Sequence, residues 1–116
     1  MSTARVGDNA RMSAILVLCT CPDEAAADRI ATALVDTRLA ACVNRIPGIT
    51  STYRWQGNIQ HEKECLLLIK TSSERFDALR ERIVALHPYE LPEVIAVDIA
   101  LGHAPYLAWI AAETGK

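Results

Sequence analysis

The feature that most limits what this chain can fold into is a pair of long strand-like runs meeting at a tight turn. Ala41 to Trp55 is rich in Val, Ile, Thr, Tyr and Trp, and Ile59 to Thr71 runs back after Gln56-Gly57-Asn58, a turn signal between extended segments. Two arms of about 13 residues each would reach roughly 40 Å. A two-stranded ribbon of that length is marginal by itself. Its outer part is aromatic and polar and needs a partner, for which a second copy of the same chain is the simplest choice. Pro47-Gly48 interrupts the first arm. Proline has no N–H to give to a ladder and glycine accepts unusual dihedrals, so the pair marks a bulge or an edge. Beyond it Ile49, Ser51, Tyr53 and Trp55 share one face, and Thr50, Thr52 and Arg54 the other. The return arm alternates Cys65, Leu67 and Ile69 against Leu66, Leu68 and Lys70, mostly apolar on both sides, while Gln60 to Glu64 is polar.

Around this hairpin the remaining pattern is regular. Ser13 to Cys19 (SAILVLC) is a continuous apolar run stopped by Pro22 and reads as a strand buried on both faces. Pro22-Asp23-Glu24 suits a helix start, and Ala27, Ile30, Ala31 and Leu34 recur at helical spacing, predicting a helix over about Asp23 to Thr37. Ser72-Ser73 offers N-caps to a second helix carrying Phe76, Leu79, Ile83 and Leu86, which ends at His87-Pro88. Val94 to Ala100 reads as a strand broken by Gly102. Pro105 can open a last helix with Tyr106, Leu107, Trp109 and Ile110 on its apolar side. The order is βαββαβ plus a helix, the pattern of an α+β, ferredoxin-like arrangement with helices over one face of a four-stranded sheet.

The 116 residues fit one domain over 13–116, preceded by a loose polar tail over 1–12 that has no apolar core of a secretory signal. Hydrophobic residues make up 51%, above what a disordered chain carries. The net charge of −2 has no basic stripe behind it, which argues against nucleic acid, and no apolar run approaches the roughly 20 residues that span a bilayer. Without an export signal the four cysteines are expected to be reduced, in a cytoplasmic protein.

Few residues point to chemistry. Cys19 and Cys21 share a strand face, so a soft metal can be clamped between them, and Cys21 beside a helix N-terminus is placed for a lowered thiol pKa. Both also have a plain reading, as core and cap-region residues. Cys42 and Cys65 read as core. His87 ends a helix, where the dipole favours an imidazolium. His61 reads as solvated, and His103 as a helper at the start of the last helix. His87-Pro-Tyr-Glu-Leu-Pro-Glu-Val is a loop stiffened by Pro88 and Pro92 that carries Tyr89, Glu90 and Glu93. It reads as a rigid loop at a subunit boundary, where Trp55, Lys70 and Trp109 would join it in plain packing between subunits or in a boundary cleft. No nucleophile elbow, dinucleotide fingerprint or phosphate loop accompanies these carboxylates, so the chain is read as a binder and not an enzyme.

Five pieces in this order and spacing resemble the CutA divalent-cation tolerance family. They are LCTCPDEAAA at Leu18 to Ala27, LAACVNRIPGITSTYRWQG at Leu39 to Gly57, LIKT at Leu68 to Thr71, HPYELPEVI at His87 to Ile95 and YLAWI at Tyr106 to Ile110. The resemblance implies a ferredoxin-like homotrimer of PII-like architecture with interlocking hairpins. It implies a metal site for copper or another heavy metal using Cys19 and His87. Some members carry a second histidine just before the HPY motif; this chain has Leu86 there, so weak copper binding is the expectation. The alternative it implies is a PII-like sensor or scaffold, with clefts between subunits that take a small molecule or a partner.

Overall fold

The computed structural model describes residues 13–115. The polar tail read over 1–12 lies outside them. The elements are β1 (Ala14–Cys21), α1 (Glu24–Asp36), β2 (Cys42–Trp55), β3 (Asn58–Ser72), a 3-10 turn (Ser73–Arg75), α2 (Phe76–Leu86), β4 (Ile95–Asp98) and α3 (Ala104–Glu113). The sheet order is β2-β3-β1-β4, with every neighbouring pair antiparallel. Each helical crossover therefore joins two strands that run parallel with a third between them, which is the ferredoxin-like pattern.

Local chemistry explains the boundaries. Asp23 caps α1, its Oδ1 accepting from the Ala26 N–H at 2.8 Å. Ser72 does not cap the second helix: its hydroxyl bonds Thr114 at 2.6 Å, and the chain passes through the 3-10 turn before α2 begins at Phe76. The hairpin turns on Gln56 (φ 51°) and Gly57 (φ 85°), two left-handed residues in succession, whose twist matches the strands they join. The ribbon gives the molecule a long axis of 47 Å against 29 and 22 Å.

α1 and α2 cover one face. Ile15, Val17, Cys19, Cys21, Cys65, Leu67 and Ile69 point into that layer and meet Ile30, Leu34, Leu79 and Ile83. β1 is thus not buried on both faces: Leu16 and Leu18 are half-buried, because among the described residues no helix covers the other side of them. Leu66 and Leu68 stand with them there, and all four residues of β4 are exposed. Cys42, read as core, also falls on the open side. It is half-buried and stands opposite Lys70, while Lys70 Nζ bonds Asn44 Oδ1. β4 is shorter than the run from Val94 to Ala100 and, among the described strands, pairs only with β1. α3 stays outside the main core; Ile110 is its buried residue, and Tyr106 and Trp109 stack on each other at 5.5 Å while remaining exposed.

The bulge at Pro47-Gly48 sets what the outer hairpin can do. Ile46 pairs Leu66 and Ile49 pairs Glu64, so β2 carries one extra residue there. The extra residue reverses parity. Even-numbered Ile46 and odd-numbered Ile49, Tyr53 and Trp55 consequently lie on the same, open side. Gly48 has φ 74°, the left-handed conformation such a bulge needs.

Candidate metal centre and adjoining cleft

β1 runs to Cys21, and its alternation sends Cys19 and Cys21 to the covered side. α2 stops at His87, held in extended backbone (φ −76°, ψ 137°) by the proline that follows. This stop sets the imidazole over the end of β1. One donor atom from each of Cys19, Cys21 and His87 lies within 4.8 Å of the others, and all three residues are buried. The structure thus brings the two residues read as metal ligands together, and adds Cys21 to them.

His87 is already engaged at both nitrogens. Nδ1 accepts the Tyr89 backbone N–H at 3.1 Å, and Nε2 lies 2.7 Å from the Thr20 carbonyl oxygen. A nitrogen that accepts an N–H carries no proton, so Nε2 holds it and donates to Thr20.

The two thiols act on each other. The hydrogen bond with Cys19 lowers the Cys21 thiol below the ordinary 9.0, against the opposing effect of burial. The same bond, then burial, raises Cys19. Of the two, Cys21 is therefore the thiol that gives up its proton more readily, and Cys19 the one that keeps it. The charge of Asp23 at the cap of α1 opposes the lowering. Cys65 stands directly across from Cys21 in the β1–β3 register, and burial, followed by Glu24, pushes its thiol up.

Two sulfurs and an imidazole nitrogen form a donor set for soft or borderline heavy metals, unlike the oxygen cages of hard cations. The thiols fit as they stand. His87 fits only by giving up one of its two hydrogen bonds.

On the other side of β1 the same turn builds a cleft. Past Cys21 the sheet loses β1, and the Pro88–Glu93 loop passes across the gap. Tyr89 donates its hydroxyl hydrogen to Glu64 Oε2 at 2.6 Å, and its ring lies 4.7 Å from that of His87. Burial raises the Tyr89 phenol above its usual range, and the hydrogen bond and charge of Glu64 raise it further. The cleft encloses about 650 Å³, with Tyr53, Trp55, Glu64, Tyr89, Glu90 and Glu93 among its walls. Trp55, Glu90 and Glu93 line this cleft within one chain. Lys70 and Trp109 do not line it. Glu64 was not legible as a site residue; its signal is a carboxylate continuing the Leu66–Leu68 face. His61 is exposed and bonds Thr52, and His103 occupies the N-cap position of α3 without a side-chain cap.

The sheet order, helix layer and overlong hairpin define a PII-like α+β protein, as in the solved structures it resembles. Residues 15–113 match the family described as CutA1 divalent ion tolerance protein, and the chain belongs to that family. The divalent-cation tolerance protein CutA of Thermus thermophilus is 53% identical over 86% of this chain and 97% of its own length. Protein CutA of Mus musculus is 52% identical over 78% of this chain, which spans 51% of that longer protein. The crystal structure of CutA from Xylella fastidiosa superposes with a TM-score of 0.87 at 48% identity, covering 89% of this chain and 99% of that one.

Proposed function

We propose that this chain is a cytoplasmic homotrimer that binds a soft or borderline heavy-metal ion, copper among them, and does not catalyse a reaction. The observation that carries the metal reading is the convergence of Cys19, Cys21 and His87 in one buried pocket. A bound ion would draw first on Cys21, the thiol that ionises more readily, then on Cys19 as its proton is displaced. The trimer reading is supported by the uncovered apolar face and by the exposed edge strand carrying Ile95 and Val97. The cytoplasmic reading rests on four free thiols, two of them side by side without a disulfide. The reading as a binder rests on the sequence, which pairs its carboxylates with no activated nucleophile.

Titrating the reduced protein with copper(I) at neutral pH, beside Cys19→Ser, Cys21→Ser and His87→Ala, tests the site. Either cysteine change should weaken binding by more than the roughly 10–100-fold that loss of an outer partner costs a metal site. Binding identical in the wild type and all three variants would remove these residues from the metal reading. Sedimentation of the same sample should give the mass of three chains; a stable monomer at micromolar concentration would refute the trimer.

A further inference from the structure

Cys65 is a buried thiol that the metal reading leaves unused. It lies on the helix-covered side of the sheet and stands directly across from Cys21 in the β1–β3 register. The ladder fixes how near the two come. Ser73 donates its N–H to the Ser13 carbonyl at 2.8 Å, one step before the Ala14–Ser72 pair, and the register runs unbroken from there to Cys21 and Cys65. Hydrogen-bonded pairs recur at every second residue of an antiparallel ladder, so Cys21 and Cys65 form one. Such partners have Cα atoms about 5.5 Å apart, at the edge of the roughly 5.5–6 Å where disulfides are commonest. Their Cβ atoms, about 5.5 Å apart, have roughly 1 Å to close. Cys21 is the last residue of β1, so this approach bends the end of the ladder and not its middle.

The other thiols are worse partners for Cys21. Cys19 faces Leu67 across the ladder. Its sulfur lies within 4.8 Å of the Cys21 sulfur. Two steps along one extended strand nevertheless hold those Cα atoms about 6.6 Å apart, at the upper end of the disulfide range. Cys42 stands on the open side, opposite Lys70. We infer that Cys21 and Cys65 are a redox-active dithiol that closes to a cross-strand disulfide within one chain. The oxidant is a hydroperoxide, of which hydrogen peroxide is the smallest. One sulfur attacks a peroxide oxygen, the O–O bond breaks, and water leaves as that sulfur becomes a sulfenic acid. The second sulfur then displaces the hydroxyl group from the first, and a second water leaves with the S–S bond formed. Both thiols are oxidised and the peroxide is reduced. Closure takes Cys21 out of the metal pocket, and this consequence alone rests on the metal reading.

Treating the reduced full chain with hydrogen peroxide, with a chelator present, tests the pair. Free thiols should fall from four to two. Peptide mapping without reduction should join Cys21 to Cys65, and dithiothreitol should restore all four thiols. Cys19→Ser should form the same link, and Cys65→Ser should form none. Four thiols surviving in the wild type would overturn the proposal. So would a link between Cys19 and Cys21, or one between copies through Cys42. Copper(I) titrated into the oxidised protein, freed of peroxide and chelator, should bind as weakly as it does to reduced Cys21→Ser. Full affinity in the oxidised protein, with reduced Cys21→Ser weakened, would overturn the effect of closure on the metal pocket. If reduced Cys21→Ser binds copper(I) like the wild type, it is the metal reading that has failed, and a mapped link between Cys21 and Cys65 still upholds the dithiol.

Discussion

On the helix-covered side of the sheet Val17, Leu67 and Ile69 are fully buried, whereas on the other side Leu16, Leu18, Leu66 and Leu68 remain half-exposed beside the open Ile95 and Val97. The residue types are nearly the same; the covering differs. The covered face closes on itself and holds the thiols and His87. The open face ends in the cleft at Glu64. One strand serves both, because successive side chains of β1 alternate: Cys19 and Cys21 turn inward, while Thr20 borders the cleft and lends its carbonyl to His87. Apolar content alone therefore does not say which face is core within one chain and which awaits another.

The largest expected effect separates the two faces directly. Leu67→Ala should cost about 2–5 kcal/mol in urea unfolding, since a filled core position is emptied. Leu68→Glu on the open side should leave the far-ultraviolet circular dichroism native-like and lower the sedimentation mass below three chains. An unchanged mass would mean that the open face is not the contact between copies.

The cysteines repeat the comparison on a smaller scale. Cys65→Ser puts a hydroxyl into the covered layer and should cost about 1–3 kcal/mol. Cys42→Ser, on the open side, should stay within about 0.5 kcal/mol. Equal losses in denaturant unfolding would contradict the facing assigned to them.

Gly48→Ala probes the device that changes parity. A Cβ there meets nothing within 4 Å, so the cost is conformational, from φ 74°. It should be about 1–2 kcal/mol, read as a lowered unfolding midpoint. No loss would mean that the bulge does not depend on the left-handed residue.

The smallest effect is electrostatic. Thiolate absorbance should show one group ionising below the ordinary 9.0, and Cys19→Ser should move that step back up. A folded pKa below the unfolded one stabilises the fold above the unfolded value, and that contribution disappears as pH falls through the folded pKa. Cys19, raised first by the bond with Cys21 and then by burial, and Cys65, raised first by burial, act in the opposite sense above the same pH. An unshifted first step in the wild type would refute the thiol–thiol bond.

Much of the fold was legible in the chain. Alternation, helical spacing and the Gln56-Gly57 turn are local, and local sterics and burial fix them within a residue or two: α1 begins at its Asp23 cap and α2 ends before Pro88. The pairing of Cys19 with Cys21 is also local, since residues two apart on a strand share a face. Motif order pointed to His87, but its distance from the thiols required the crossover that lays the end of α2 over the end of β1. Tertiary structure alone revealed that His87 already spends both nitrogens, that Cys42 faces outward, and that Glu64 is buried beside Tyr89. Each depends on what a distant segment places opposite the residue. Burial and hydrogen-bond partners are properties of surroundings that no short stretch of sequence contains.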